Sequence, residues 1–243
     1  SVAANEVTFA TGAKFSLYTF FMAVINPGDE VIIPTPYWVS YGDQVKMAEG
    51  VPVFVPAKED NHFKVTVEQL EAARTDKTKV LVLNSPSNPT GMIYTREELL
   101  AIGNWAVEKD ILILADDIYG RLVYNGHEFT PISGLSEAIR KQTVVINGVS
   151  KTYAMTGWRI GYAVGEADII AAMSKIAGQT TSNPSAVAQY AAVEALLGEQ
   201  DTVENMRQAF EERLNTIYPL LAEVPGFEVV KPQGAFYLFP NVK

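Results

Sequence analysis

A lysine and an arginine lie eight residues apart, at Lys151 and Arg159, among small, aromatic and apolar residues. A lysine that is partly removed from water and close to another cation loses proton affinity, and its neutral amine can form a Schiff base with an aldehyde. Arg159 can supply that cation, or it can bind a phosphate through two parallel hydrogen bonds. An isolated loop lysine is usually a solvated charge, so the interpretation depends on the residues that accompany it.

A carboxylate and a phenol follow the apolar run at 111–115. Asp116 at the end of a buried strand is costly unless it is paired or hydrogen-bonded, and a protonated ring nitrogen would be a suitable partner. Asp116 and Asp117 are equally able to cap a helix or a turn. Tyr119 either points its hydroxyl into the same space or packs as an aromatic side chain.

Three more segments carry groups that can bind a ligand. A glycine before the first predicted helix, at 12–14, leaves free backbone N–H groups at a helix start, where the helix dipole favours an anion. Asn88 offers an amide donor for an oxyanion or a phenolate oxygen. Trp38 follows a strand and is either part of the core or a stacking platform for a flat ligand.

Short apolar runs, typical of strands buried on both faces, precede most of these groups. The runs cover 30–33, 51–55, 80–83, 111–115, 144–146 and 160–164. Helical patterns cover 13–24, 66–74, 95–108, 167–177, 185–197 and 202–222. This alternation predicts an α/β fold with a mostly parallel sheet and helices on both faces. Ligands bind at the carboxyl ends of such strands, where the candidate residues lie.

Composition limits the possible functions. The 243 residues are 48% hydrophobic, which supports an extensive core, and no apolar run approaches the length of a membrane span. With no cysteine and two histidines, thiolate catalysis and a histidine-rich metal centre are excluded, and we expect no metal. The net charge of −9 argues against nucleic acid and anionic membranes as partners and favours small molecules or a second copy. A cytoplasmic location is expected.

Four motifs, in this order and spacing, resemble the class I/II aminotransferases, which are fold-type I enzymes dependent on pyridoxal 5′-phosphate (PLP). The motifs are Pro34-Thr-Pro-Tyr-Trp38, Asn88-Pro-Thr-Gly91, Asp116-Asp-Ile-Tyr119 and the stretch from Gly148 to Gly161. The likeness is greatest to the bacterial branch of aspartate aminotransferases and covers nearly the whole chain. It implies a homodimer and a three-layer αβα large domain at 1–222. Residues 223–243, predicted to form two strands, would begin a truncated C-terminal small domain.

The resemblance assigns a role to each matching residue. Lys151 would form the Schiff base with PLP and carry the proton, Asp116 would pair with the pyridine nitrogen, and Tyr119 would donate to the ring oxygen. These three are the predicted catalytic residues. The predicted cofactor-binding residues are Gly12, Ala13, Lys14, Trp38, Asn88, Asp116, Ile118, Tyr119, Ser150, Lys151 and Arg159. The predicted substrate-binding residues are Lys14, Trp38 and Asn88.

The implied activity is transfer of an amino group from an amino acid, aspartate in the first place, to 2-oxoglutarate by a ping-pong mechanism through pyridoxamine phosphate. The lysine matching Lys14 is associated with the distal carboxylate of aspartate in the bacterial branch. Aromatic and prephenate aminotransferases share most of these residues, whereas PLP-dependent carbon–sulfur lyases usually carry histidine where Tyr119 stands. A PLP-sensing domain of a transcription regulator is the alternative that is not an enzyme.

Two departures from the family pattern matter. Gly148 stands where many relatives carry a serine that also binds the phosphate. The arginine that binds the substrate α-carboxylate is expected beyond residue 239, and the arm that supplies a tyrosine to the neighbouring subunit is expected before residue 1. Neither is found in this sequence, so we expect the chain to be impaired on its own.

Overall fold

Strands and helices alternate along the chain in a computed structural model that describes residues 2–242. The strands are β1 (Val7–Ala10), β2 (Glu30–Thr35), β3 (Val51–Pro56), β4 (Thr78–Asn84), β5 (Leu112–Asp116), β6 (Thr143–Gly148), β7 (Gly161–Val164), β8 (Phe227–Val229) and β9 (Pro240–Val242). The helices are α1 (Ala13–Val24), α2 (Ser40–Met47), α3 (Val67–Ala73), α4 (Arg96–Glu108), α5 (Glu137–Lys141), α6 (Ala167–Gly178), α7 (Ala186–Leu197) and α8 (Asp201–Ala222). Within this part of the chain, none of the helices combines the length and apolarity needed to span a bilayer.

Seven strands form one sheet in the order β1-β7-β6-β5-β4-β2-β3. Strands β6, β5, β4, β2 and β3 run parallel to one another, and β7 runs antiparallel to both β6 and β1. The predicted α/β fold with a mostly parallel sheet is confirmed. Because β4, β5 and β6 are adjacent and parallel, the polar residues that follow them meet at one edge of the sheet.

Each face of the sheet carries its own apolar core, as the continuous apolar runs predict. In β4, Val80 and Val82 contribute to the core under α1, α2 and α6, while Leu81 and Leu83 contribute to the core under α3, α4 and α5. Side chains alternate between the faces of a strand, so a strand covered on both sides must be apolar throughout. The result is the predicted three-layer αβα arrangement.

Helix starts follow local capping signals. The Thr95 side chain accepts a hydrogen bond from the Glu98 backbone N–H, and the Glu98 carboxylate accepts one from the Thr95 N–H at 2.7 Å. The two bonds satisfy donors that a helix start leaves free. Glu98 also receives the buried Lys64 ammonium at 2.6 Å, which ties the start of α4 to the loop before α3.

Four elements differ from the sequence-based expectation, including the five-residue helix α5, which the sequence did not indicate. Strand β1 has only four residues, with Phe9 half-exposed, and α2 is polar on most of its length, so neither has a clear apolar period. The predicted strand at 235–239 is wrong, and the strand instead spans β9. Ala235 has a φ of 59°, and its N–H bonds to the Leu122 carbonyl, which breaks the extended conformation at that point.

The tail segment at 232–238 packs back against the loops that follow β4 and β5. The N–H groups of Gln233 and Gly234 donate to the Gly91 carbonyl, each at 2.9 Å. A Cβ at Gly91 would lie 2.6 Å from the Pro232 side chain, so this close approach requires glycine. On the other side, Tyr124 donates from its N–H to the Gln233 carbonyl and from its hydroxyl to the Ala235 carbonyl. The tail is therefore fixed to two loops that leave the sheet.

Candidate active site

A cavity of about 310 Å³ lies at the carboxyl ends of β4, β5 and β6, beside the start of α1. All the predicted cofactor-binding residues line it except Gly12, which contacts Arg159 at its border. The structure adds five lining residues, namely Leu17, Tyr41, Asn84, Thr156 and Tyr237. The fold therefore brings together residues from six separate parts of the sequence.

One end of the cavity is built to bind an anion. Gly12 has a φ of 92° and precedes α1, whose first N–H groups have no partner within the helix. A Cβ at Gly12 would lie 2.2 Å from an Arg159 guanidinium nitrogen, so the guanidinium lies directly against this turn. A Cβ at Gly161 would lie 2.2 Å from the Ala13 nitrogen, which shows how closely β7 approaches the helix start. Arg159 Nη1 also donates to the Thr156 carbonyl at 2.8 Å.

Lys151 is partly buried between aromatic rings. Its Nζ lies 5.8 Å from the centre of the Tyr119 ring and 5.3 Å from the centre of the Phe236 ring. Burial lowers the pKa of the Lys151 amine, the Arg159 charge lowers it further, and the Asp116 carboxylate opposes both effects. A larger fraction of the amine is therefore neutral and able to attack an aldehyde. The neighbouring Ser150 is buried, and its carbonyl accepts a hydrogen bond from the Thr156 hydroxyl.

Asp116 is 3% exposed at the end of β5 and has two donors. The Tyr41 hydroxyl donates to one carboxylate oxygen at 2.6 Å, and the Ile118 N–H donates to the other at 3.3 Å. Burial raises the pKa of Asp116 to about 6, although the Tyr41 hydrogen bond, the Ile118 N–H and the Lys151 charge oppose the rise. A cation that reached this carboxylate would be strongly favoured.

Tyr41 was not predicted, because the helix that carries it, α2, has no clear apolar period. A tyrosine three residues after Trp38 does not by itself indicate a contact with Asp116. The Tyr41 ring meets the Trp38 indole edge to face, with 5.5 Å between ring centres. The Lys14 ammonium lies 4.9 Å from the centre of the Trp38 ring and is exposed to solvent. Lys14 and Trp38 therefore place an exposed cation and an aromatic surface on one wall of the cavity.

Three polar side chains meet on the tail side of the cavity. The hydroxyls of Tyr119 and Tyr237 lie 2.6 Å apart, and Asn88 Nδ2 donates to the Tyr237 hydroxyl at 3.3 Å. Burial raises the pKa of Tyr119, so Tyr119 stays protonated and able to donate. Asn84 links the loop to the sheet, since it accepts from the Asn88 N–H at 2.8 Å and donates to the Asp116 carbonyl at 2.9 Å.

This set of groups fits PLP. An anion-binding turn with an arginine suits the phosphate, a partly neutral amine suits the aldehyde, a buried carboxylate suits the pyridine nitrogen, and amide and phenol donors suit the ring oxygen. Within residues 2–242, no cluster of three or more histidine, cysteine or acidic side chains offers a metal site. The fold and the donor set are those of a PLP-binding domain.

Comparison with known proteins identifies the family. The sequence model of the class I and II aminotransferases matches residues 1–243, and this chain belongs to that family. Over 243 residues it is 74% identical to the asparagine-oxo-acid transaminase of Streptococcus mutans, and over 238 residues it is 60% identical to the aspartate aminotransferase of Bacillus sp. strain YM-2. The members of the aspartate aminotransferase type are PLP-dependent.

Solved structures agree with the sequence matches. The aspartate aminotransferase of Rhizobium meliloti superposes with a TM-score of 0.97 at 42% identity, covering 100% of this chain and 61% of that one. The chain likewise spans 62% of the Streptococcus protein and 61% of the Bacillus protein, while 100% and 98% of this chain are covered. It therefore matches about three fifths of each of these proteins.

Proposed function

We propose that this chain is the cofactor domain of a PLP-dependent aminotransferase that transfers the amino group of aspartate to 2-oxoglutarate in a ping-pong cycle. The observation that carries this proposal is the convergence of Lys151, Arg159, Asp116, Tyr119 and Asn88 on one cavity. The names of the relatives support an amino acid and an oxo acid as the two substrates.

PLP bound in this cavity would supply an electron sink and hold the amino group between the two half-reactions. Arg159 and the N–H groups at the start of α1 would bind the phosphate, and Asp116 would keep a proton on the ring nitrogen. Tyr119 and Asn88 would donate to the ring oxygen. The Lys151 amine, whose pKa is lowered, would carry a proton away from the amino acid Cα in the first half-reaction and deliver one to the oxo acid Cα in the second.

Two amino donors fit the open side of the cavity. Lys14 offers its exposed ammonium to the distal carboxylate of aspartate. Asparagine is the second candidate, because the relative at 74% identity is named for it. The side-chain amide of asparagine can accept a hydrogen bond from the same ammonium, but it lacks the ionic attraction. Replacing Lys14 would therefore weaken aspartate binding more than asparagine binding.

The relatives are longer than this chain, and we propose that residues 223–243 open a smaller domain that contributes the remaining substrate contacts. A homodimer in the cytoplasm is the expected form of the whole protein. In that form a partner subunit and the smaller domain would complete the substrate site.

Absorbance spectroscopy tests the proposal. Added PLP should give an absorbance band that survives gel filtration and disappears in Lys151→Ala, while the exposed-lysine control Lys175→Ala keeps it. In the full-length protein, aspartate or asparagine should convert this band to that of the amino form, and 2-oxoglutarate should restore it. A band independent of Lys151 would refute the site. Rapid pyruvate release from cysteine conjugates would indicate a lyase, and a loaded protein inert to every amino acid would favour a PLP sensor.

A further inference from the structure

Tyr237 comes from the tail, yet its hydroxyl lies at the centre of the donor group on that side of the cavity. It is 2.6 Å from the Tyr119 hydroxyl and accepts the Asn88 amide at 3.3 Å. These two partners are the residues that the proposed function assigns to the ring oxygen of PLP. No role has been given to Tyr237 itself.

The backbone around Tyr237 is held on both sides. The Ala235 N–H donates to the Leu122 carbonyl, two residues before Tyr124, whose hydroxyl donates to the Ala235 carbonyl. Ala235 is fully buried, and a Cβ at Gly234 would lie 2.8 Å from the Pro86 side chain. The Tyr237 hydroxyl therefore occupies a position that the surrounding packing defines.

Hydrogen-bond chemistry limits which of Asn88, Tyr237 and Tyr119 can donate and which can accept. An amide NH₂ can only donate, so Tyr237 is the acceptor of the Asn88 bond. Either hydroxyl can donate in the Tyr119–Tyr237 pair. When Tyr237 donates, its proton lies toward the Tyr119 oxygen, and the Tyr119 proton is free for an acceptor in the cavity. Each donor in such a series polarises the next, which makes the last hydroxyl a stronger donor. The charged groups near Tyr119 are Lys151 and Asp116.

We propose that Tyr237 is a positioning residue that donates to Tyr119 and so directs the Tyr119 proton toward the ring oxygen of PLP. This inference rests on the proposed function. Tyr237 acts through Tyr119, since hydrogen bonds to the ring oxygen stabilise its anionic form. That form prevails when the nitrogen joining Lys151 to the cofactor has lost its proton.

The test is a pH titration of the absorbance band of PLP-loaded protein. Tyr237→Phe removes the hydroxyl and keeps the ring, and we expect the midpoint pH to rise by about half a unit to one unit, the size of one hydrogen bond. Tyr153→Phe is the matched control, because it loses a tyrosine hydrogen bond to Gln200 outside the cavity and should leave the midpoint unchanged. Thermal unfolding establishes that each variant is folded.

A double variant distinguishes an effect of Tyr237 through Tyr119 from direct contact of Tyr237 with PLP. In a Tyr119→Phe background, the added Tyr237→Phe change should shift the midpoint no further. An unchanged midpoint in the single variant, or a shift that persists without the Tyr119 hydroxyl, would overturn the inference. Tighter PLP binding with the same midpoint would show that Tyr237 obstructs the site instead. If the unsubstituted protein forms no band that depends on Lys151, the proposed function fails independently of Tyr237.

Discussion

Asp116 shows how a single residue in this cavity depends on its surroundings. It is buried at the end of β5, accepts the Tyr41 hydroxyl and lies within the electrostatic influence of Lys151. Burial disfavours its charged form, and its pKa rises from 3.8 to about 6. In cofactor-free protein this carboxyl therefore holds its proton at a pH where the unfolded chain has released it.

The pH dependence of stability follows from that difference. The stabilising contribution of Asp116 protonation is fully present below the unfolded pKa and is lost as pH rises through the folded pKa. Asp116→Asn removes this titration. As pH rises from about 5 to about 8, the unfolding free energy of the unsubstituted, cofactor-free protein should fall by about 1.5 kcal/mol because of Asp116. Asp116→Asn should not show this fall, so its stability rises by that amount relative to the unsubstituted protein.

Urea unfolding at both pH values measures this change. The exposed-carboxylate control Asp60→Asn should show no comparable gain between the two pH values. An Asp116→Asn curve that runs parallel to that of the unsubstituted protein would mean that Asp116 is not protonated in the folded state.

The candidate site was largely predictable at this scale, because Lys151, Arg159, Asp116, Tyr119 and Asn88 follow apolar runs or belong to continuous motifs. Two lining tyrosines were missed for different reasons. Tyr41 lies on a helix without a clear apolar period, and Tyr237 reaches the cavity only through tertiary packing of the tail. Neither contact has a local sequence signal, since each joins residues far apart in the chain.

At the scale of elements, the close approach of β7 to the start of α1 builds the anion-binding end. Two glycines allow this arrangement, since a Cβ at Gly161 would collide with the Ala13 backbone and a Cβ at Gly12 would collide with the Arg159 guanidinium. Arg159 lies in the loop that leads into β7, two residues before the strand begins. The distance between helix start and guanidinium is therefore set by how closely the two elements pack.

Gly161→Ala should separate these elements. The new Cβ would lie 2.2 Å from the Ala13 nitrogen and 2.4 Å from the Gly12 carbonyl carbon, so backbone must move. We expect a loss of about 1 to 3 kcal/mol in unfolding free energy, and PLP affinity about tenfold lower or worse.

Urea unfolding and PLP titration measure the two effects. Gly178→Ala is the matched control, because nothing lies within 4 Å of its added Cβ, and it should bind PLP normally. Normal PLP affinity in Gly161→Ala would show that the anion site tolerates movement of β7.

The elements themselves were mostly predictable, with the main helices and the parallel strands found to within a few residues. Apolar runs buried on both faces gave the strands, and threonine caps gave helix starts such as that of α4. Only the second strand of the final hairpin was misplaced, because Ala235 adopts a left-handed conformation that its side chain alone does not signal.

At the scale of the whole molecule, the predicted domain boundary lies after residue 222, yet the tail beyond it is hydrogen-bonded to loops of the main sheet. Gln233, Gly234 and Ala235 all bond to loops that leave β4 and β5. A chain ending at Ala222 loses these bonds, each contributing about 1 kcal/mol, together with the Tyr237 side chain. We expect it to lose several kcal/mol in unfolding free energy and to bind PLP weakly.

A chain ending at Phe239 is the control, because it retains the bonded segment and lacks the pairing of β8 with β9 and the hydrogen bond from Asn241 to Glu59. Urea unfolding of both chains measures the difference. Equal stability and equal PLP binding would instead show that residues 1–222 fold as a complete domain.

The bonded tail also bears on the order in which the protein is made. The hydroxyls of Tyr119 and Tyr237 meet although the residues are 118 positions apart. Chain synthesis runs from the amino terminus, so every strand of the main sheet emerges from the ribosome before Tyr237 does. A nascent chain can form the sheet and the lysine pocket early. The last wall of its cavity closes only when this late segment returns to Gly91 and Leu122.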